Sequence, residues 1–236
     1  MEAAVVVGAS SEIGRAIAEY FASRGLALHL WGRDRDRLAQ TGIACEAAGA
    51  GAISETVVDL EDAEQLRAAV AGVVESGQSI VGLVWAAGQF QWGRFDTVDP
   101  AGAESVLTTT FTAAVTTTQL LLPSLIAAAP STVVFVGSGA GRQAYADNAA
   151  YVAAKHGIRG FAEALHLDVC DEGVTVGIVS AGLVTAGAGQ FAPAARERPD
   201  AMLRPIDIAR AVQFIAESPA NVCPTEIVLR PATRHL

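Results

Sequence analysis

A doubly wound α/β sheet, with parallel strands covered by helices on both faces, is the fold class this sequence predicts. Three observations carry the prediction. Short apolar runs alternate with helix-length segments along the 236 residues. Runs such as VVVG, TVVFVG and VTVGIV are apolar throughout rather than alternating, the pattern of strands buried on both faces. The first of them empties into the glycine-bearing turn GASSEIG, residues 8–14, and then into helix-forming sequence.

The elements follow in order. A strand near 3–8 leads to a helix near 12–24, and LHLW lies in a second strand, 26–31, before a helix over 34–41. A strand at 53–58 precedes the helix EDAEQLRAAVAGVVE at 61–76, and a fourth strand covers 80–85. One long helix is expected over 101–128, where the threonine-rich TTTFTAAVTTTQ has modest helix propensity that burial offsets. A strand at 132–137, a helix at 148–169 and a strand at 174–180 come next. Pro205 suits the first turn of the helix at 205–217, since its missing N–H is one the helix would not use, and a last strand covers 226–229. The segment between, AGAGQFAPAARERPDAMLR at 186–204, is rich in Gly and Pro and weak in periodicity, so it reads either as a movable flap over the carboxyl ends of the strands or as a surface loop. With no linker or internal repeat, residues 1–236 are expected to form a single domain.

Composition narrows the function classes. Hydrophobic residues make up 51% and charged residues 17%, which requires extensive buried surface. The net charge of −9 comes without a Lys/Arg stripe, so nucleic acid is not an expected partner. Cys45, Cys170 and Cys223 lack metal-ligand spacing, and no metal is expected. Glu2 precedes the apolar N-terminal run, which lacks the basic region of a secretory signal, and no run reaches 18 apolar residues. A cytoplasmic chain with no membrane partner is the expectation.

At the nucleotide end, Gly8 and Gly14 flank a strand-to-helix turn where free backbone N–H groups and a helix dipole converge on an anion. The second strand ends LHLWGR, where a ribose-reading acid would stand. The acid is absent, Gly32 is followed by Arg33, and a guanidinium favours a 2′-phosphate. Arg35 and Arg37 can assist or be solvated helix charges. Asp59 either accepts from an adenine amino group or caps the following helix. A second close backbone passage is signalled by AAG at 86–88.

The chemical centre is more specific. Ser138 ends the strand TVVFVG, and Tyr151 and Lys155 occur as YVAAK, a spacing that puts both on one helical face. A tyrosine hydroxyl has a pKa of about 10. A neighbouring lysine cation and a positive nicotinamide ring would stabilise its phenolate, and Ser138 can hydrogen-bond a carbonyl oxygen that receives hydride.

These features together resemble the short-chain dehydrogenase/reductase family over nearly the whole chain. VGASSEIG is similar to its glycine-rich turn, AAG at 86–88 to the end of its Asn-Asn-Ala-Gly segment, Ser138, Tyr151 and Lys155 to its catalytic set, and AGLV at 181–184 is in register. The resemblance implies a single-domain Rossmann-like fold, with Tyr151 as acid in ketone reduction or base in alcohol oxidation. Lys155 would bind the nicotinamide ribose and lower the tyrosine pKa, and Ser138 would orient substrate. It implies NADP(H) as cofactor, held by Gly8, Ser10, Ser11, Ile13, Gly14, Arg33, Asp59, Ala87, Gly88, Tyr151, Lys155 and Gly182.

Several positions depart from that pattern. Val7 stands for the usual threonine, Glu12 for the middle glycine, Ala86 for asparagine, Ala181 for proline and Ala186 for a cofactor-contacting threonine. Thr110 aligns with the asparagine that supports a water-linked proton relay, so it either carries a changed relay or leaves it weak. Asn148 lies one turn before Tyr151 and offers an amide or a helix cap. EIVLRP resembles the ending of some NADP-dependent carbonyl reductases.

The preferred reading is NADPH-dependent reduction of a ketone or aldehyde. The alternatives are oxidation of a secondary alcohol with NADP, and a dinucleotide-binding sensor or assembly protein that kept the fold. Trp92, Tyr145, Phe191 and Met202 are candidates for an apolar substrate pocket beside Gln143 or Gln190. The long helices 101–128 and 148–169 are expected to meet a second copy, because the family's oligomers bury them, which implies a homodimer or homotetramer. Glu12 is expected to favour the helix dipole while pointing aside from the pyrophosphate.

Overall fold

Val5, Val6 and Val7 send alternate side chains to opposite faces of the strand that lies mid-sheet, and all three are buried. The computed structural model describes residues 1–233 of the chain. Its elements run β1 (Glu2–Val7), α1 (Glu12–Ser23), β2 (Ala27–Gly32), α2 (Arg35–Ala48), β3 (Ala52–Val57), α3 (Ala63–Glu75), β4 (Ser79–Trp85), α4 (Pro100–Leu107), α5 (Ala113–Ala127), β5 (Ser131–Ser138), α6 (Ala149–Val169), β6 (Val174–Ala181), α7 (Ala194–Glu197), α8 (Pro205–Ala216) and β7 (Glu226–Leu229). The seven strands form one parallel sheet in the order β3-β2-β1-β4-β5-β6-β7. The chain reverses its direction of winding between β1 and β4, which opens a crevice at their carboxyl ends.

Each face of the sheet has its own core. Val5, Val7, Trp31, Trp85, Phe135 and Ile178 pack under α3, α5 and α6, while Val6, Leu30, Val84, Val134 and Val179 pack under α1, α2 and α8. Complete burial of such a side chain stabilises by about 1.5–3 kcal/mol, so the apolar strands hold the framework on which the loops are mounted.

Four element boundaries differ from the sequence expectation. The second helix does not stop at 41 but continues to Ala48, and ends at Gly49, whose φ of 106° is the left-handed conformation of a glycine C-cap. The third begins at Ala63 because Asp62, not Asp59, is its cap and accepts from the Glu64 and Gln65 amides at 2.9 and 3.1 Å. The expected single helix over 101–128 is broken by a π-turn at Thr108–Thr112. There the Thr110 hydroxyl accepts from the Gln89 amide at 3.2 Å, tying the helix to the loop after β4. The flap is partly structured: a 3₁₀ turn at Gly187–Phe191 and α7 lie between ends pinned by a Val184–Leu203 bridge.

Pro100–Ala127 is long and apolar enough by composition to cross a membrane, with a mean hydropathy of 1.3. Its buried residues, among them Ala114, Thr117, Leu121 and Leu125, face the sheet and α3, so core packing accounts for part of its apolarity.

Candidate active site

Ser11 organises the first turn of the crevice. Its hydroxyl donates to the Gly8 carbonyl at 2.7 Å and accepts from the Gly14 amide at 3.0 Å, capping α1. Gly8 has a φ of 89°, and a Cβ there would stand 2.7 Å from the Ala87 nitrogen. Glycine is therefore required where β1 and β4 deliver their loops side by side. A cleft of about 160 Å³ results, lined by Val7, Gly8, Ser10, Ser11, Trp31, Gly32, Arg33, Val58, Leu60, Ala86, Ala87, Gly88 and Thr109. Gly32 has a local cause as well: a Cβ there would lie 2.6 Å from Ser10 Oγ, so the end of β2 has no room for a ribose-reading side chain.

Of the other residues expected to hold the cofactor, Gly14 is buried at the helix start and Ile13 packs on the α1 side of the sheet. Gly182 donates to the Leu229 carbonyl at 2.8 Å, extending the β6–β7 pairing. Asp59 is exposed, and its carboxylate accepts from the Glu61 amide at 3.0 Å.

Ser138, Tyr151 and Lys155 meet at the carboxyl end of β5, on the side where α6 lies. The Ser138 hydroxyl accepts from the Ala140 amide at 3.2 Å and is hydrogen-bonded with Tyr151. Lys155 is buried, donates from Nζ to the Val136 carbonyl at 2.9 Å, and sits 5.7 Å from the centre of the Tyr151 ring. A Cβ on Gly88 would be 3.3 Å from Thr110 Oγ1 and 3.7 Å from Lys155 Nζ, so Gly88, Thr110 and Lys155 border one small space.

The family pattern of the short chain dehydrogenases matches residues 2–196, most of the chain. The chain is a member of the short-chain dehydrogenase/reductase family. It is 30% identical to sulfoacetaldehyde reductase 2 of Chromohalobacter salexigens, over 96% of this chain and 93% of that one. It is 32% identical to a ketoacyl reductase of a Nostoc species over 77% of this chain and 63% of the relative. A metagenomic short-chain oxidoreductase solved in complex with NADP superposes with a TM-score of 0.84 at 27% identity, covering 99% of this chain and 98% of that one. The chain is thus an NAD(P)-dependent oxidoreductase enzyme, and its structural relatives bind NADP(H).

In this short-chain dehydrogenase/reductase, burial shifts the pKa values of both Tyr151 and Lys155. Burial pushes the Tyr151 hydroxyl above its ordinary pKa of 10.0, and the Ser138 hydrogen bond pulls it back only in part. The Lys155 amine donates to the Val136 carbonyl, and burial brings its own pKa from 10.5 to about 8.

The substrate-side candidates separate into two groups. Phe90, which carries no motif signal, meets Tyr151 edge-on with ring centres 5.0 Å apart, and Trp92 follows it at 6.2 Å. The Tyr145 hydroxyl reaches Gly139, next to Ser138. Gln143 and Phe191 are exposed, Met202 is buried in the flap base, and Gln190 turns away to Glu12. Asn148 does not cap α6 with its side chain. Its amide donates to the Ala146 carbonyl at 3.3 Å, leaving a buried Oδ1 with no partner among the described residues. Glu226 was also missed: Arg142 and Arg159 pair with it, and Ser180 donates to it at 2.6 Å, bracing the loop after Ser138 against α6, β6 and β7.

Proposed function

We propose that this enzyme reduces a ketone or aldehyde with NADPH, Tyr151 giving the proton to the carbonyl oxygen. The convergence of Ser138, Tyr151 and Lys155 beside the Gly8–Arg33 cleft carries the reading. The cleft's residues fit a dinucleotide: glycine where two loops must touch, backbone donors and the start of α1 for a pyrophosphate, and Arg33 on the rim for a 2′-phosphate. NADPH, when bound there, supplies the hydride.

The chain's own groups do the rest. Gly8, Ser10, Ser11, Ala87 and Gly88 hold and orient the dinucleotide, while Lys155 holds the nicotinamide ribose. Ser138 keeps a carbonyl oxygen within reach of the Tyr151 hydroxyl by hydrogen bonding. That hydroxyl is protonated at neutral pH, as a proton donor requires, and burial raises its pKa further. Phe90, Trp92 and Tyr145 bound the substrate side. Alcohol oxidation uses the same residues in reverse. The family relatives named as reductases of an aldehyde and a ketoacyl group support a carbonyl substrate.

Thr110, which stands at the place of the family's relay asparagine and whose hydroxyl accepts from the Gln89 amide, is the main feature on the side of a cofactor-binding sensor. Nicotinamide absorbance, followed with NADPH and a panel of aldehydes and ketones, tests the reading: oxidation of NADPH is expected with at least one of them. Tight NADPH binding with no turnover across the panel would favour the sensor.

We also assign a homodimer or homotetramer in the cytoplasm. Leu107, Leu120 and Leu167 leave apolar side chains exposed on α4, α5 and α6, as do Phe214 on α8 and Val228 on β7. A monomer mass independent of concentration would contradict an obligate assembly.

A further inference from the structure

Glu61 stands at the mouth of the adenosine side of the cleft, next to Leu60 in its wall. Its Oε1 accepts from Ser105 Oγ at 2.5 Å, from Gln89 Nε2 at 3.0 Å and from Thr109 Oγ1 at 3.5 Å. These three neutral donors, from α4, the loop after β4 and the π-turn, fix the carboxylate without cancelling its charge. Arg33 Nη1 lies 4.0 Å from the same oxygen. Arg33, the guanidinium in the cleft wall, is therefore already facing an anion that its neighbours hold still.

We propose that Glu61 is a specificity-determining residue, setting how strongly the site discriminates NADPH from NADH by competing with the 2′-phosphate for Arg33. The inference rests on the NADPH reading above. Three features of the geometry give its sign. A 2′-phosphate carries close to two negative charges, whereas the 2′-hydroxyl of NADH carries none, so only NADPH is opposed by the carboxylate. Glu61 cannot swing away without leaving three hydrogen bonds. Arg33 is more than half exposed, so its attraction to either anion is screened and neither dominates outright. The Arg33–Glu61 pair thus preorganises the guanidinium over the cleft while lowering the gain from the extra phosphate.

The test is the dissociation constants of NADPH and NADH for the full-length protein and for Glu61→Gln, Arg33→Ala and the double variant, at low and high salt. An amide oxygen at 61 keeps an acceptor for Ser105 and Gln89 but removes the charge. Glu61→Gln is expected to tighten NADPH by roughly 3- to 10-fold and to leave NADH within about 2-fold, an advantage that shrinks at high salt and in the Arg33→Ala background. Glu61→Thr, a shorter neutral side chain, is expected to move the ratio in the same direction, which guards against a fault peculiar to the glutamine. Weaker NADPH binding in both neutral variants, or equal shifts for the two cofactors, would overturn the proposal and leave Glu61 as a structural tie. Equal losses of NADPH and NADH in Arg33→Ala would instead overturn the phosphate reading itself, so the two failures are distinguishable.

Discussion

Gln190 donates a hydrogen bond from Nε2 to Glu12 Oε2 at 3.1 Å, joining the flap after β6 to the first turn of α1. This contact explains the acidic residue in GASSEIG. Glu12 is the first residue of α1, where its charge favours the helix dipole, and its carboxylate is directed to the flap rather than to a phosphate. It also gives the flap an attachment to the phosphate turn in a chain whose Ala186 lacks the hydroxyl common in the family at that place.

If the contact holds the flap down, Glu12→Ala and Gln190→Ala each raise KM for the carbonyl substrate by about 2- to 10-fold, the range for one hydrogen bond to a charged group near solvent. The double variant is expected to be no worse than either single one. Additive losses, or cleavage of residues 186–204 by protease at the same rate in all four proteins, would show that the contact does not hold the flap.

Gly32→Asp tests why the ribose-reading acid is missing. Because the new Cβ meets Ser10 Oγ, the substitution is expected to weaken NADPH at least 10-fold without tightening NADH, and Ser10→Gly is expected to be needed before NADH affinity rises. Tighter NADH binding by Gly32→Asp alone would show that the turn adapts freely.

Lys155 sets a pH dependence whose sign can be worked out. Its pKa is about 8 in the folded chain against 10.5 for a free lysine, so the folded state holds the proton less well. Below pH 8 the whole cost of burying the cation is present, and between about 8 and 10.5 stability rises as the folded lysine loses its proton first. Lys155→Met should therefore raise the melting temperature at pH 7 by a few degrees, for a gain on the order of 1–3 kcal/mol, while abolishing turnover. The difference from the parent protein should narrow toward pH 10. A lower melting temperature for Lys155→Met at pH 7 would mean that the bond to the Val136 carbonyl outweighs the cost of burial.

Much of the fold was legible because doubly buried parallel strands leave continuous apolar runs, as in β1, β2, β4, β5 and β6, whereas the edge strands β3 and β7 are more exposed. The helix break at Thr108–Thr112 was not, since threonines neither forbid nor announce a π-turn and the contact made there, with Gln89, comes from 21 residues away. Asp59 was the expected cap, but Asp62, three residues on and of the same chemistry, caps α3, because the helix starts at Ala63. In the site, Ser138, Tyr151 and Lys155 carried a spacing that sequence can display. Phe90, Glu61 and Glu226 carried none, because each acts through contacts made by tertiary folding. Spacing puts Tyr151 and Lys155 on one face, but the burial that shifts both pKa values and the Val136 carbonyl that meets Lys155 come only with tertiary folding.

The most direct test of the central claim compares the parent protein with Tyr151→Phe under saturating NADPH, measuring NADPH oxidation with a carbonyl substrate and, separately, the dissociation constant of NADPH. Removing the proton donor from an otherwise intact site predicts a fall in kcat of roughly 100-fold or more with cofactor affinity within a few-fold of the parent. Turnover by Tyr151→Phe at the parent rate would contradict the account.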